Sequence, residues 1–381
     1  MRIAYVINSM EGGGAALPVP AVAGFLRAQG CEVEIFALMR RNGRAIAPIE
    51  SAGFKVHVRD GAESDHLRAY RWLARSMADW RPDLIWTSLT RATLLGQIVG
   101  DRQDVPVASW QHNAFLKPAN RMLLRARRRL STLWIADSEN VAELTRERLG
   151  LAPERVISWP LFAADPDAPQ SAPWREGETI RVGTLGRLHP AKGYDILIAA
   201  LARVQALADL PSFEVLIAGE GGRKADLETA IATAGLTNVR LAGFTDQPRA
   251  FLSQLHLYLQ PSRREGLCIA AHEAMQAGLP CIVSAVGEMP FSVADGVTGA
   301  VVPPADPEAL AQALVRLLSQ PQDLAGMGSR GRARVFDRFG PDAFARRGAE
   351  VLARIRQNIA LDQAPHRGSE RVGRARSEVR P

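Results

Sequence analysis

Glu265 and Glu273, with seven residues between them, are the pair whose types and spacing most suggest chemistry. Carboxylates accept hydrogen bonds from vicinal hydroxyls, which suits a polyol better than a metal ion. On one continuous helix eight positions return to roughly the same face and rise about 12 Å. One carboxylate would then reach a sugar ring and the other a ribose, with a diphosphate between. Gly266, Ala270, Ala271 and Ala274 predict a closely packed helix; ordinary exposed acids are the competing reading. Arg187 and Lys192 bracket the loop of Gly183-Thr184-Leu185-Gly186-Arg187-Leu188-His189-Pro190-Ala191-Lys192-Gly193. A guanidinium fork beside an ammonium point charge suits two adjacent phosphates, against the plainer reading of surface charges near a turn. Glu11-Gly12-Gly13-Gly14 is the third cluster. Its glycines permit positive φ and close backbone approach, so amides at a helix start could face an anion. It is not the dinucleotide fingerprint, and a tight turn without a ligand is equally compatible.

The segments that must position these residues alternate between short β-branched runs and amphipathic helical patterns, which predicts an α/β protein with parallel sheets. Strands are expected at Arg2–Asn8, Glu32–Leu38, Lys55–Arg59, Leu84–Ser88, Val105–Trp110, Leu133–Asp137 and Val156–Trp159. A second set is expected at Ile180–Leu185, Phe213–Ala218, Val239–Ala242, Leu257–Leu259, Cys281–Ser284 and Ala300–Val302. Ser138 and Gly150 bound one helix as cap residues. Phe162–Gly177, rich in Pro, Ala and Asp, reads as a linker. The chain divides into a Rossmann-like unit at 1–165, a linker at 166–178 and a second Rossmann-like unit at 179–340. A helix at 341–360 is expected to return to the first unit, followed by a disordered basic tail at 361–381. Ligands of such sheets bind past the carboxyl ends of strands, where all three clusters lie.

Composition narrows the class. Of 381 residues 47% are hydrophobic and 23% charged, ordinary for a globular protein and too apolar for a disordered one. The apolar runs are too short to span a membrane, and the N-terminus lacks a signal-peptide pattern. Three scattered cysteines (Cys31, Cys268, Cys281) fit neither a disulfide framework nor a zinc site. A cytoplasmic protein is the expectation. The net charge of +7 is uneven: Val105–Ala136 holds no acid but contains Lys117, Arg121, Arg125, Arg127, Arg128 and Arg129. This window could attract an anionic partner or be a solvated helix face. It lacks the interleaved aromatics of a nucleic-acid binder, so no nucleic-acid partner is expected.

Together the clusters resemble the retaining glycosyltransferases of family 4, which have the GT-B fold of two Rossmann-like domains facing each other across a cleft. The resemblance runs from Ile180 to about Leu314 through VGTLGRLHPAKG, VLIAGEGG, VRLAGF and LQPSRREGLCIAAHEAMQAGLPCIVSAVGEMPFSVADGVTGAVVPPADPEAL, with the Glu-x7-Glu signature in place. In the first half it rests on the glycine loop, His112 after a strand, and ADSENVAELTRERLG. It implies a nucleotide-sugar donor (UDP-, GDP- or ADP-linked) held by the second domain and an acceptor held by the first. Arg187 and Lys192, with Gly186 between their strand and loop, would bind the diphosphate. Glu273 would hold the ribose, and Glu265, with Gly266 and Leu267, the transferred sugar. Gly287, Glu288 and Met289 would offer backbone amides to that sugar. Gly219, Gly221, Gly243 and Phe244 would line the base pocket, Gly12, Gly13 and Gly14 would approach the phosphates, and His112 would face the sugar ring.

The chain departs from the family pattern at the crossover, where Pro160-Leu161-Phe162-Ala163-Ala164-Asp165 replaces Asn-Gly-Val-Asp, and at Glu288 and Phe291. No metal or other cofactor is implied, and Asp165-Pro166-Asp167, in the linker, reads as a chance match to a metal-binding Asp-x-Asp. The expected function is sugar transfer to a glycan or lipid-linked acceptor in bacterial lipopolysaccharide or exopolysaccharide synthesis. The basic window, with Met122, Leu123, Leu124 and Leu130, would dock at the anionic inner membrane as a peripheral contact. The alternatives are a GT-B enzyme acting on soluble sugars and a non-catalytic GT-B scaffold.

Overall fold

The structure, a computed structural model, describes residues 1–112, 116–207 and 210–363. The chain opens with β1 (Arg2–Ile7), α1 (Val19–Ala28), β2 (Glu32–Ala37), α2 (Ile46–Ser51), β3 (Val56–Val58) and α3 (His66–Trp80). It continues with β4 (Leu84–Ser88), α4 (Thr90–Gln103), β5 (Val107–Gln111), α5 (Pro118–Ala126), β6 (Leu133–Ala136), α6 (Glu139–Leu149) and β7 (Val156–Ser158). The second run begins with β8 (Ile180–Leu185), α7 (Tyr194–Leu207), β9 (Phe213–Ala218), α8 (Lys224–Thr233), β10 (Val239–Gly243) and α9 (Pro248–Ser253). After these come β11 (Leu257–Gln260), α10 (Ile269–Gln276), β12 (Cys281–Ser284), α11 (Met289–Ser292), β13 (Gly299–Val302), α12 (Pro307–Leu318), α13 (Leu324–Phe339) and α14 (Pro341–Gln363).

The strands form two parallel sheets, ordered β3-β2-β1-β4-β5-β6-β7 and β10-β9-β8-β11-β12-β13. Every expected strand is present. Strand β1 is buried from Ile3 to Ile7, which requires helices on both faces of its sheet. Ser138 caps α6 through Val141 N–H at 3.2 Å, and Gly150 ends it with φ 65°.

Aromatic packing fastens the chain's end to its beginning. Trp159, just past β7, lies between Trp110 (centroids 5.2 Å apart) and Phe344 of α14 (5.1 Å). Its indole N–H donates to the Phe344 carbonyl at 3.1 Å. At Gly348 a Cβ would stand 2.6 Å from both Phe25 and Trp159, so only glycine lets α14 seat this closely.

Three expectations are corrected. Phe162–Gly177 is no loose tether. Phe162, Ala164 and Ala168 are buried, the Ala164 N–H donates to Phe339 O, and the Ser171 N–H donates to Ala277 O. Helix α13 was not anticipated, because Gly326, Gly328 and Gly331 depress helix propensity. At Gly328 the reason is tertiary: a Cβ there would fall 1.8 Å from the Gly278 carbonyl oxygen. Helix α14 reaches Gln363, beyond the expected end at 360. The rest of the expected tail, 364–381, lies outside the described residues.

Candidate functional site

Each sheet reverses its order where its first strand meets its fourth, β1 beside β4 and β8 beside β11. Loops diverge at such a point and leave a crevice. The glycine loop follows β1, Arg187 and Lys192 follow β8, and Glu265 follows β11. Because β8 and β11 pair directly (Val182 with Leu257, Gly183 with Tyr258), their loops meet. Lys192 Nζ donates to Glu265 Oε1 at 2.7 Å, with side chains 21% and 11% exposed. Burial opposes the charge on Lys192, but the Glu265 carboxylate outweighs it and holds the ammonium above its ordinary range. The lysine stem lies across Gly186, where a Cβ would be 3.3 Å from Lys192 Cε. Arg187 is exposed and bonds to no side chain among the described residues. The two cations therefore are not equivalent: one is tied to a carboxylate and the other is free to turn.

The helical spacing of the two glutamates is corrected. Cys268 adopts a left-handed conformation (φ 63°, ψ 71°), and α10 begins only at Ile269. Glu265 thus sits in the loop before the helix and Glu273 on the helix itself. Besides Lys192, Glu265 Oε1 accepts from Ser262 Oγ at 2.6 Å and from Gln260 Nε2 at 3.4 Å. The Glu273 carboxyl is half-buried and accepts no hydrogen bond among the described residues. Burial pushes its pKa up to about 7, and the positive charge of Arg249 offsets part of the rise.

The loops expected around a base converge. Gly219 N–H donates to Gly243 O at 2.7 Å, and Leu188 N–H to Glu220 O at 2.8 Å. Gly219 has φ 146°, and a Cβ there would fall 1.9 Å from Gly186 O; at Gly221 it would fall 2.3 Å from Leu188 O. Arg44, from the first sheet's unit, reaches them. Its guanidinium donates to Glu220 Oε2 at 3.2 and 3.3 Å and lies 3.7 Å from the centroid of the half-exposed Phe244 ring. A Cβ at Gly12 would stand 2.9 Å from Arg44 Cβ, and one at Gly14 3.6 Å from Ile269 Cδ1, while Gly13 faces open space. The glycine loop therefore faces the second unit's loops at close range.

Two further expectations change. In Gly287–Met289 the backbone amides of Glu288 and Met289 are already used, donating to Gly266 O at 2.8 Å and Val286 O at 3.4 Å. The Glu288 carboxylate pairs with Arg338. At Gly287 (φ 60°) a Cβ would lie 2.2 Å from Gly266 O, so this loop and Gly266-Leu267 are packed as one unit. His112 also presents no open ring nitrogen. Its Nε2 is 2.6 Å from Ser88 Oγ and its Nδ1 3.0 Å from Asp137 Oδ1, which also accepts from Trp110 Nε1 at 2.6 Å. Ser88, Asp137, Gln260, Ser262 and Arg44 escaped the sequence reading, although the first four stand at or just past strand ends.

In the basic window Met122 is 66% and Leu123 40% exposed, among the exposed side chains of Lys117, Arg121, Arg125 and Arg129 and the partly exposed Arg127 and Arg128. Leu124 is fully buried, which removes it from the expected docking face. Asp165 pairs with Arg249, and no cluster of three or more potential metal ligands occurs among the described residues. No helix among them is long and apolar enough to cross a membrane.

Two family models match the chain, one described as Glycosyltransferase Family 4 over residues 12–162 and one as Glycosyl transferases group 1 over residues 179–320. The chain belongs to glycosyltransferase family 4. Members of this family are retaining enzymes. A 2-deoxystreptamine glucosyltransferase of Streptomyces kanamyceticus is 28% identical, the match covering 71% of this chain and 78% of the relative. For a D-inositol 3-phosphate glycosyltransferase of Segniliparus rotundus the figures are 29%, 67% and 62%. For an amylovoran biosynthesis glycosyltransferase of Erwinia amylovora they are 32%, 47% and 46%. Anabaena HepE, solved in complex with UDP and glucose, superposes with a TM-score of 0.82 at 21% identity, covering 93% of this chain and 99% of that one. That similarity establishes the GT-B fold for this family 4 chain.

Proposed function

We propose that this glycosyltransferase moves a sugar from a nucleoside diphosphate to a hydroxyl of a glycan or lipid-linked acceptor, with retention and without a divalent metal. The observation that carries this reading is the buried Lys192–Glu265 pair, set between glycine-lined loops and followed along α10 by a carboxyl, Glu273, that accepts no hydrogen bond among the described residues. A departing diphosphate needs positive charge and a sugar needs hydroxyl acceptors. Lys192 and the unengaged Arg187 supply the first, and Glu265 and Glu273 the second. In this reading the ribose hydroxyls satisfy Glu273. The donor is UDP-, GDP- or ADP-linked; UDP is the first to test, since HepE was solved with it.

A role in surface polysaccharide synthesis is supported by the Erwinia relative's name. The Streptomyces relative, matched over more of this chain, supports a second reading with a soluble polyol acceptor. The exposed Met122 and Leu123 amid arginines favour the first, because they suit a cytoplasmic-face contact with anionic lipid. A thermal-shift screen against UDP-, GDP- and ADP-sugars tests the core claim, since the matching donor raises native stability. Arg187→Ala is expected to lower turnover by orders of magnitude and EDTA to leave it unchanged. Strong EDTA inhibition would refute metal independence. Co-sedimentation with anionic vesicles that survives neutralising Arg125, Arg127, Arg128 and Arg129 would refute this basic face as the lipid contact, and a wild-type protein that does not co-sediment would favour the soluble acceptor.

A further inference from the structure

Beyond β11 the chain keeps its two-residue alternation, so Tyr258, Gln260 and Ser262 fall on one side and are all fully buried. Tyr258 donates its phenolic proton to Gln260 Oε1 at 2.7 Å, Gln260 Nε2 donates to Ser262 Oγ at 2.8 Å, and Ser262 Oγ donates to Glu265 Oε1 at 2.6 Å. Each polarity is forced by the next: a carboxylate only accepts, so Ser262 spends its single proton there and must accept from the Gln260 amide. That fixes the amide's orientation and leaves its carbonyl oxygen to the phenol. From the other side Lys192 Nζ reaches the same Oε1 at 2.7 Å. Among the described residues Ser262, Gln260 and Lys192 all converge on Oε1, and the buried Cys268 thiol also stands within hydrogen-bonding reach of the carboxylate. Among the described residues Lys192 keeps two of its three N–H groups without a partner.

We propose that Ser262 and Gln260 are positioning residues for the transfer reaction proposed above, on which this inference rests. They pin Glu265 by one carboxylate oxygen so that Oε2 faces the hydroxyls of the transferred sugar. Lys192 alone would not achieve this, because a carboxylate held by a single ammonium can still rotate about Cγ–Cδ and swing its second oxygen away from the sugar. The donors of a fully buried row that converge on Oε1 fix the carboxylate plane and with it the direction of Oε2. The same network also ties sugar contact and phosphate contact together, since the ammonium that neutralises Glu265 has two remaining donors for the diphosphate.

The test separates binding from turnover. Ser262→Ala should leave the affinity for the matching nucleoside diphosphate unchanged, measured by calorimetry with UDP, GDP and ADP as probes. It should lower kcat for donor turnover by about 10- to 100-fold, the range expected when a hydrogen bond to a charged group is lost, with little change in donor KM. Tyr258→Phe, two bonds further back, should lower kcat by less and in the same direction. Ser262→Thr, which keeps the hydroxyl, should recover most of the loss. If Ser262→Ala turns over like the wild type, or loses nucleotide affinity in step with kcat, the positioning role is overturned while the transferase reading stands. A wild-type protein that binds none of the nucleoside diphosphate sugars overturns that reading and this inference with it.

Discussion

Replacing Glu273 with Gln should make the ligand-free protein more stable and the donor complex weaker, both in a pH-dependent way. Burial raises the Glu273 carboxyl from 4.5 to about 7 in the folded chain. That displacement is worth about 3 kcal/mol between the two protonation states. Below the unfolded value the group is neutral in both states and the native fold has the full benefit. The benefit is lost as pH rises through about 7, where the native carboxyl must ionise. At pH 8 the Gln variant escapes this penalty but leaves an amide N–H short of a partner, at about 1–2 kcal/mol. The net gain is about 1–2 kcal/mol, or roughly 2–6 °C in a domain of this size. Donor affinity should move oppositely. Ribose hydroxyls bond best to the ionised form, so wild-type affinity for the donor sugar rises between pH 5.5 and 8, by up to about 30-fold from the cost of deprotonation. The Gln variant should bind weakly and without this slope. A sugar-linked diphosphate is the right probe, because a free terminal phosphate has its own pKa near 6. Calorimetry at several pH values reads the slope directly. Parallel pH profiles for wild type and variant would refute the argument that Glu273 is a ribose acceptor held out of water.

Other outcomes follow from the same geometry. Gly287→Ala combines a left-handed φ with a contact to Gly266 O that has no room. It should lower the thermal midpoint and abolish donor binding, the strain alone costing about 1–3 kcal/mol. Asp137→Ala would strip His112 Nδ1 and Trp110 Nε1 of their shared acceptor, so thermal or denaturant unfolding should show a loss of about 2–5 kcal/mol. The Arg44–Glu220 pair is largely exposed. A double-mutant cycle on stability should give it less than about 1 kcal/mol, and any larger effect of Arg44→Ala should appear in nucleotide affinity instead.

The strand runs were legible because parallel strands buried on both faces are written as compact apolar segments. The Gly-rich turns were legible because close backbone approach excludes a Cβ, as at Gly219 and Gly221. The spacing of Glu265 and Glu273 misled in its geometry, though the pair itself was legible. Eight residues say nothing of the left-handed kink at Cys268 that takes Glu265 off the helix. The Lys192–Glu265 contact spans 73 positions and follows from strand order, not from local pattern. Only the pairing of β8 with β11 brings those loops together. His112 was legible as a residue past a strand, but its neighbours Ser88 and Asp137 come from two other strands of the same sheet. Nothing in the sequence near His112 announces that both ring nitrogens are engaged.

The longest departure from the family pattern lies where the chain passes between the two sheets, and packing explains it. In place of Asn-Gly-Val-Asp stands Pro160-Leu161-Phe162-Ala163-Ala164-Asp165, of which Leu161, Phe162 and Ala164 are buried. Phe162 lies against His272 and Phe339, and His272 is itself fully buried between the Cys268 carbonyl and Ser292 Oγ. Burial pushes the His272 pKa down to about 4, so this joint stays uncharged at neutral pH. A polar crossover could hydrogen-bond to ligand or water, whereas an aromatic one can only pack, and it packs against the helix that carries Glu273. Movement of one unit against the other must therefore shear the contact between Phe162 and α10. Phe162→Ala should consequently do more than open a cavity costing about 3–5 kcal/mol. It should change donor affinity although no atom of Phe162 belongs to the expected donor contacts. Unchanged affinity in a folded Phe162→Ala protein would show that the crossover and the donor site are mechanically independent.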